Sequence, residues 1–252
     1  MWSFRRKAYR FKNHKLTLAD GDLFKDAAKY QRLIGRLIYL TITRPDLVYA
    51  VHILSQFMQT PQEEHMEAAR CVLRYLKGTA GFGIPLKASS EMKLSGFCDS
   101  DWGVCPLSRR SLTGYFVQLS ESPISWKTKK QAIVSRSSTE AEHRSMVVAT
   151  SELVRLRSLL ASLGVFLHQP MQLFCDSQAA LHIAKNPVFH ERMKHIELDC
   201  HFVREKVVAG ILTLSHVETK DQPVYIFTKA LGKRKFQYLQ SKLGLTSLSA
   251  PT

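Results

Sequence analysis

The sequence predicts a mixed α/β (α+β) fold, a five-stranded sheet flanked by helices and preceded by a small helical segment. Three observations predict it. Residues 26–77 carry only helical periodicity, with apolar side chains three and four positions apart. Beyond residue 94, three short segments rich in β-branched and aromatic residues follow one another across tight turns. A long helical stretch then separates these from two further strands, in the order β-β-β-α-β-α-α-β-α.

In the first segment Tyr30, Leu33, Ile34, Leu37, Ile38 and Leu40 mark one helix face. Pro45 interrupts it, and a second helix from Asp46 carries Val48, Val51, Ile53 and Leu54 until Pro61. A third helix over 63–76 ends at Gly78, since glycine tolerates the backbone of a helix C-terminus. Residues 94–98 then read as a strand leading into Asp99-Ser100-Asp101, and 112–119 as its neighbour. After the turn at Ser122-Pro123, residues 124–126 with 132–134 predict the third strand of an antiparallel meander. The long helix covers 139–163, with Met146, Ala149, Leu153, Leu156, Leu160 and Leu163 on one stripe and Gly164 closing it. Next come a strand at 171–175, a helix at 177–185, and a break at Asn186-Pro187. A helix at 188–209 ended by Gly210, a strand at 211–217 and a helix at 224–231 complete the order.

Composition narrows the class of partner. The 36 Lys and Arg outnumber the 21 Asp and Glu, giving a formal charge of +15, which favours polyanions. No apolar run reaches the ~20 residues of a membrane helix, and the polar, basic stretch after Met1 lacks the apolar core of a signal peptide. A cytoplasmic or nuclear location is therefore expected. The five cysteines, Cys71, Cys98, Cys105, Cys175 and Cys200, contain no C-x-x-C pair and read as reduced thiols. His190, His195 and His201 are offset by five and six residues, which does not align them on one helix face for a metal. They read as solvated or capping side chains.

Three acids stand where this order of elements would bring them together. Asp99 ends the first strand, Glu142 lies in the first turn of the long helix, and Asp176 follows the fourth strand. Carboxylates at strand ends and a helix start can converge on one edge of a sheet. Hard oxygen donors there suit Mg2+ or Mn2+, and a pair of such ions ~4 Å apart can drive phosphodiester hydrolysis. Each acid also has a purely structural alternative. Asp176 before Ser177 fits a helix cap, Thr139-x-x-Glu142 fits a capping box, and Asp99 fits a turn. Lys127, Lys129, Lys130, Arg109, Arg110 and Arg136 cluster along the meander, as phosphate contacts or as a solvated basic face. Trp126 reads as core.

Several motifs resemble the copia-type retrotransposon Pol polyprotein. They are Phe97-Cys98-Asp99-Ser100-Asp101-Trp102, Arg109-Arg110-Ser111-x-Thr113-Gly114-Tyr115, Ile124-Ser125-Trp126-Lys127 and Ser137-Ser138-Thr139-Glu140-Ala141-Glu142. Asn186-Pro187-Val188-Phe189-His190-Glu191-Arg192 and Lys194-His195-Ile196 match further on. Upstream, Tyr39-Leu40-Thr41-Ile42-Thr43-Arg44-Pro45-Asp46 and Leu73-Arg74-Tyr75-Leu76-Lys77-Gly78-Thr79 resemble the end of that polyprotein's reverse transcriptase. The resemblance implies a ribonuclease H-like domain over 81–245 and a reverse-transcriptase-like helical segment over 22–80. A basic, disordered arm over 1–21 and a disordered tail over 246–252 are expected to flank them.

It also implies a reaction, the metal-dependent hydrolysis of the RNA strand of an RNA–DNA hybrid. The family's carboxylates carry over to Asp99, Glu142 and Asp176, with Glu142 chosen over Glu140 on the Ala-Glu pair. The fourth fails, because Tyr225 in Val224-Tyr225-Ile226-Phe227-Thr228-Lys229 stands where the family has Asp. Asp221 lies four residues earlier and would serve only with a rearranged loop. Leu107, Leu112 and Met193 depart from the pattern as well, and no Tyr-x-Asp-Asp polymerase motif occurs. A truncated, degenerate copy with impaired cleavage is therefore expected. The alternatives are a non-catalytic hybrid-binding protein and a functionless remnant.

Overall fold

Strand-forming residues must place their apolar side chains on a face that something covers, and here helices cover both faces of one sheet. The structure, a computed structural model, describes residues 21–88, 92–186 and 197–247. The chain forms two compact units, residues 86–228 and residues 1–85 with 229–252. Residues 1–20 of the arm expected over 1–21, the residues 248–252 of the tail, and the motif histidines His190 and His195 lie outside the described residues.

The helical unit opens with α1 (Ala27–Leu40), capped by Asp26, whose carboxylate accepts Lys29 N–H at 2.8 Å. Tyr30, Ile34 and Leu37 are its buried stripe, as the spacing predicts. Pro45 starts a 3-10 turn, Pro45–Leu47, that redirects the chain into α2 (Val48–Ser55). The following α3 (Glu63–Gly78) starts where His65 Nδ1 accepts the Gln62 N–H and its ring stacks on Phe57 at 3.8 Å. Met66, Ala69 and Val72 meet α1 and α2 in one apolar core. Next comes the two-residue strand β1 (Phe82–Gly83).

The second unit begins with β2 (Leu94–Asp101), β3 (Leu112–Leu119) and β4 (Ser122–Lys130), an antiparallel meander. Two expectations change here. The first strand runs on to Asp101, so Asp99 sits within the ladder opposite Gly114 and not in a turn. The third strand ends at Lys130. Ala132, Ile133 and Val134 are exposed and irregular, because Gln131 and Ser135 turn inward and hydrogen-bond each other at 2.8 Å.

The crossover is α4 (Ser138–Ser162), which leads to β5 (Met171–Cys175), parallel to β2. Met146, Ala149, Leu153 and Leu156 of the predicted stripe are buried, whereas Leu163 is exposed beyond the helix end. Gly164 and Gly210 take the left-handed φ of +79° and +67° that a helix-closing glycine permits. After β5 come α5 (Gln178–Lys185), α6 (Glu197–Val208) and β6 (Leu212–His216), parallel to β5. The predicted start of α6 at residue 188 lies outside the described residues.

The sheet order is β4-β3-β2-β5-β6, the mixed five-stranded arrangement of a ribonuclease H-like fold. One face packs on α4, α5 and α6 through Leu94, Cys98, Met146, Ala149, Leu153, Leu173, Ala180 and Val203. The other carries Phe97, stacked on Phe174 at 4.8 Å, and Phe116, which meets Phe227 at 6.1 Å.

Phe227 belongs to α7 (Tyr225–Thr228), a single turn where the sequence predicts a helix to residue 231. The turn docks over Gly114, where an added Cβ would lie 2.7 Å from Thr228 Cγ2 and 2.8 Å from Val224 Cγ1. Gly114→Ala is therefore expected to cost about 1–3 kcal/mol by overpacking, read as a lower urea midpoint with an unchanged slope. An unaltered midpoint would show that α7 is free to move aside.

From residue 229 the chain belongs to the helical unit, not to the ribonuclease H-like part with which the sequence reading groups it to 245. There α8 (Lys233–Lys242) places Gln240 against Tyr75 of α3, donating to its hydroxyl at 2.8 Å. The last strand, β7 (Thr246–Ser247), pairs with β1.

Candidate metal centre

Parallel pairing of β2 with β5 aligns Phe97 with Phe174, so that two residues further along Asp99 comes level with Asp176. Asp99 is fully buried on the α7 face and accepts a short hydrogen bond from the Thr228 hydroxyl. Gln222 holds the chain entering α7 in place by donating to the Cys98 carbonyl at 3.0 Å and accepting from Val224 N–H at 3.3 Å.

Glu142 arrives from the second turn of α4, since the helix begins at Ser138, and its Oε1 accepts the backbone N–H of Ser100 at 3.2 Å. It has no share in capping that helix. The N-cap is Ser137, whose hydroxyl accepts from Glu140 N–H at 3.1 Å, and Glu140 Oε2 accepts Arg136 N–H at 2.8 Å. Glu140 is further engaged by the Arg144 guanidinium at 3.1 Å. The Thr139-x-x-Glu142 capping alternative is thus replaced by Ser137 and Glu140, two residues earlier. Likewise α5 is capped by the Ser177 hydroxyl on Ala180 N–H, not by Asp176.

Asp176 is partly exposed and accepts from the Tyr225 hydroxyl at 2.6 Å and from the Thr219 hydroxyl at 3.4 Å. Among the described residues, the group whose ligand atoms all lie within 4.8 Å of one another is Glu142, Cys175 and Asp176. Asp99 stands outside that tightest group because its carboxylate is turned to Thr228, yet its charge reaches Glu142. Cys175 is the member that sequence reasoning passed over. Its only signal there is adjacency to Asp176 at the end of a strand.

The electrostatics follow from burial and crowding. Desolvation pushes the Glu142 carboxyl far above the usual carboxylate range, and Asp99, Cys175 and Asp176 push it further, against the Ser100 N–H. Burial, then the hydrogen bond and charge of Asp176, raise the Tyr225 phenol, which keeps it a neutral donor. Asp221 is partly buried and donates its N–H to the Glu218 carbonyl at 2.8 Å; it is not in the acid group.

The basic residues do not share one face. Lys127 and Lys129 are exposed and alternate with buried Thr128, whose hydroxyl donates to the Phe227 carbonyl at 2.7 Å. Lys130 lies on the Thr128 side, with its amine 3.7 Å from Cys105 Sγ. Arg109, at a left-handed φ of +53°, and Arg110 are exposed in the loop between β2 and β3, and Arg136 is exposed before α4. Trp126 is half-buried, and His201 is exposed on α6.

No helix among the described residues is long and apolar enough to cross a membrane. No protein-family model matches the chain. It is 46% identical over 232 residues, 92% of its length, to the retrovirus-related Pol polyprotein from transposon RE1 of Arabidopsis thaliana. To the corresponding polyprotein from transposon TNT 1-94 of Nicotiana tabacum it is 36% identical over 220 residues. In each case the chain spans 16% of the relative's length. Among solved structures, the N-terminal RNase H domain of a Mycobacterium tuberculosis protein overlaps 60% of this chain and 98% of its own, at 10% identity and a TM-score of 0.39. On the sequence identity that runs through both units, the chain belongs to the retrovirus-related Pol polyproteins of copia-type transposons.

Proposed function

We propose that this chain hydrolyses the RNA strand of RNA–DNA hybrids with bound Mg2+ or Mn2+, and that Tyr225 in place of a fourth carboxylate holds that activity low. The observation that carries the reading is that ligand oxygens of Glu142 and Asp176, from two separate elements, lie within 4.8 Å of one another, with Asp99 near enough for its charge to act on Glu142. The donor set fits a hard divalent cation, since its carboxylates are oxygen ligands whose mutual repulsion a cation would offset. Asp99, Glu142 and Asp176 would hold the ion, which when bound supplies an acidified water and counter-charge for phosphodiester oxygens.

The chain's own groups set how well that works. Ser100 N–H orients the Glu142 carboxylate, and the Thr228 hydroxyl steadies Asp99. Tyr225 directs its proton onto Asp176 Oδ2, so one lone pair of that carboxylate is engaged and no fourth negative charge is present. The exposed cations Arg109, Arg110, Lys127, Lys129 and Arg136, with Lys130, supply positive surface for hybrid phosphates. Each phosphate they neutralise steepens the salt dependence of binding.

An end-labelled hybrid incubated with the full chain and Mg2+ or Mn2+ tests this. Weak, metal-dependent cleavage is expected, and Tyr225→Asp should raise it about tenfold or more, the decade that ~1.4 kcal/mol of barrier represents. Absence of metal-dependent cleavage from both proteins, with salt-sensitive hybrid binding intact, would end the nuclease reading and leave a non-catalytic binder.

A further inference from the structure

The hard-ion reading uses only oxygen donors, yet a sulfur lies among them. Cys175 is fully buried at the end of β5, and its Sγ is within 4.8 Å of ligand oxygens of both Glu142 and Asp176. The backbone N–H of Ser177 points at that sulfur at 3.4 Å, which fixes its position beside the two carboxylates. Cys98, level with it on β2, sends its own S–H to the Phe174 carbonyl at 3.7 Å, and burial holds its thiol well above the ordinary range. Of these two sulfurs, Cys175 is the one with carboxylate oxygens from two elements beside it.

We propose that Cys175, Glu142 and Asp176 form a binding site for a thiophilic divalent ion, of the class of Zn2+ and Cd2+, in competition with the hard ion. One thiolate sulfur with two carboxylate oxygens is a donor set for borderline and soft cations, with a fourth position left for water. Binding forms a metal–sulfur bond and releases the thiol proton to solvent, with no change of oxidation state. Partly exposed Asp176 gives the ion its route from solvent. Because Glu142 and Asp176 serve both ions, a thiophilic ion acts here as an inhibitor of metal-dependent cleavage. That consequence rests on the function proposed above; the binding itself does not.

Titrating the metal-free full-length chain with Cd2+ and following the ultraviolet sulfur-to-cadmium charge-transfer band tests the site. Mn2+ binding is followed in parallel by electron paramagnetic resonance. The expected result is a saturable band that is lost in Cys175→Ser and kept in Cys98→Ser, with at least about tenfold weaker Cd2+ binding in Asp176→Asn. Mn2+ should still bind Cys175→Ser, which shows that this variant is folded. A band undiminished in Cys175→Ser, or Cd2+ binding indifferent to Asp176→Asn, overturns the proposal. A Cys175-dependent band in a protein that fails to bind Mn2+ would uphold the thiolate site while removing the hard-ion reading.

Discussion

Glu142→Gln is expected to reduce hybrid cleavage by about a hundredfold or more while raising the melting temperature of the metal-free protein. Both effects have one origin. Glu142 is a carboxylate held out of water next to Asp99 and Asp176, so its charge is unfavourable until a cation offsets it. Removing outer-shell partners of a metal site already costs 10–100-fold in affinity or activity, and a direct ligand should cost at least as much. The amide keeps the shape and an acceptor for Ser100 N–H at far smaller desolvation cost, so the apo fold gains.

Glu140→Gln is the matched control. Glu140 is only 2% exposed and bound to Arg136 N–H and Arg144, so its loss of charge should cost about 1.5–3 kcal/mol of stability and spare the chemistry. Single-turnover cleavage in the Tyr225→Asp background, beside thermal melts, separates the two. Equal losses of cleavage in both variants would mean that Glu142 acts only through the fold.

The second large effect is expected in the helical unit. Arg44→Met should cost about 3–5 kcal/mol, the usual consequence of leaving one member of a buried ion pair behind. Arg44 is 5% exposed and grips Asp46 with Nε at 3.0 Å and Nη2 at 2.8 Å. Its remaining N–H groups reach the Thr79 carbonyl at 3.1 Å and hydroxyl at 2.9 Å. Without the guanidinium, Asp46 keeps only neutral donors, the Tyr75 hydroxyl and a long contact from Gln240 at 3.5 Å. The Thr-Arg-Pro-Asp stretch is thus a structural knot that ties the turn after α1 to the ends of α3 and α8. Urea denaturation followed by near-ultraviolet circular dichroism would register the loss. A midpoint shift worth under about 1 kcal/mol would show that water enters and solvates Asp46.

Much of this could be read along the chain, and the exceptions share a cause. Tyr30, Ile34 and Leu37, the meander, and the stripe from Met146 to Leu156 follow from periodicity, because burial on one face leaves a repeat of 3.6 or 2 residues. Gly164 and Gly210 were legible for a local reason too, since only glycine takes a positive φ without strain. By contrast, Ile133 and Val134 look like strand residues but sit exposed, because the inward pull of Gln131 and Ser135 decides that turn. The helix Lys233–Lys242 is too polar for its pattern to stand out, and only packing on Tyr75 reveals what it buries.

The candidate site divides in the same way. Asp99, Glu142 and Asp176 were named from their order relative to strands and helices, and their spacing of 43 and 34 residues says nothing of distance. Which glutamate of Glu140-Ala141-Glu142 faces the acids is a matter of helix phase. Two residues apart on a helix is about 200°, so one carboxylate caps α4 while the other reaches Ser100. Nor could the line of residues show that Cys175 lies within 4.8 Å of Glu142 and Asp176, or that Tyr225 spends its proton on Asp176. By itself the sequence determined most of the elements, their order and the ancestry, since backbone preference and one-sided burial act between near neighbours. Tertiary structure alone decided which polar groups meet, because ångström-scale contacts across the sheet depend on strand register and helix phase summed over the whole unit.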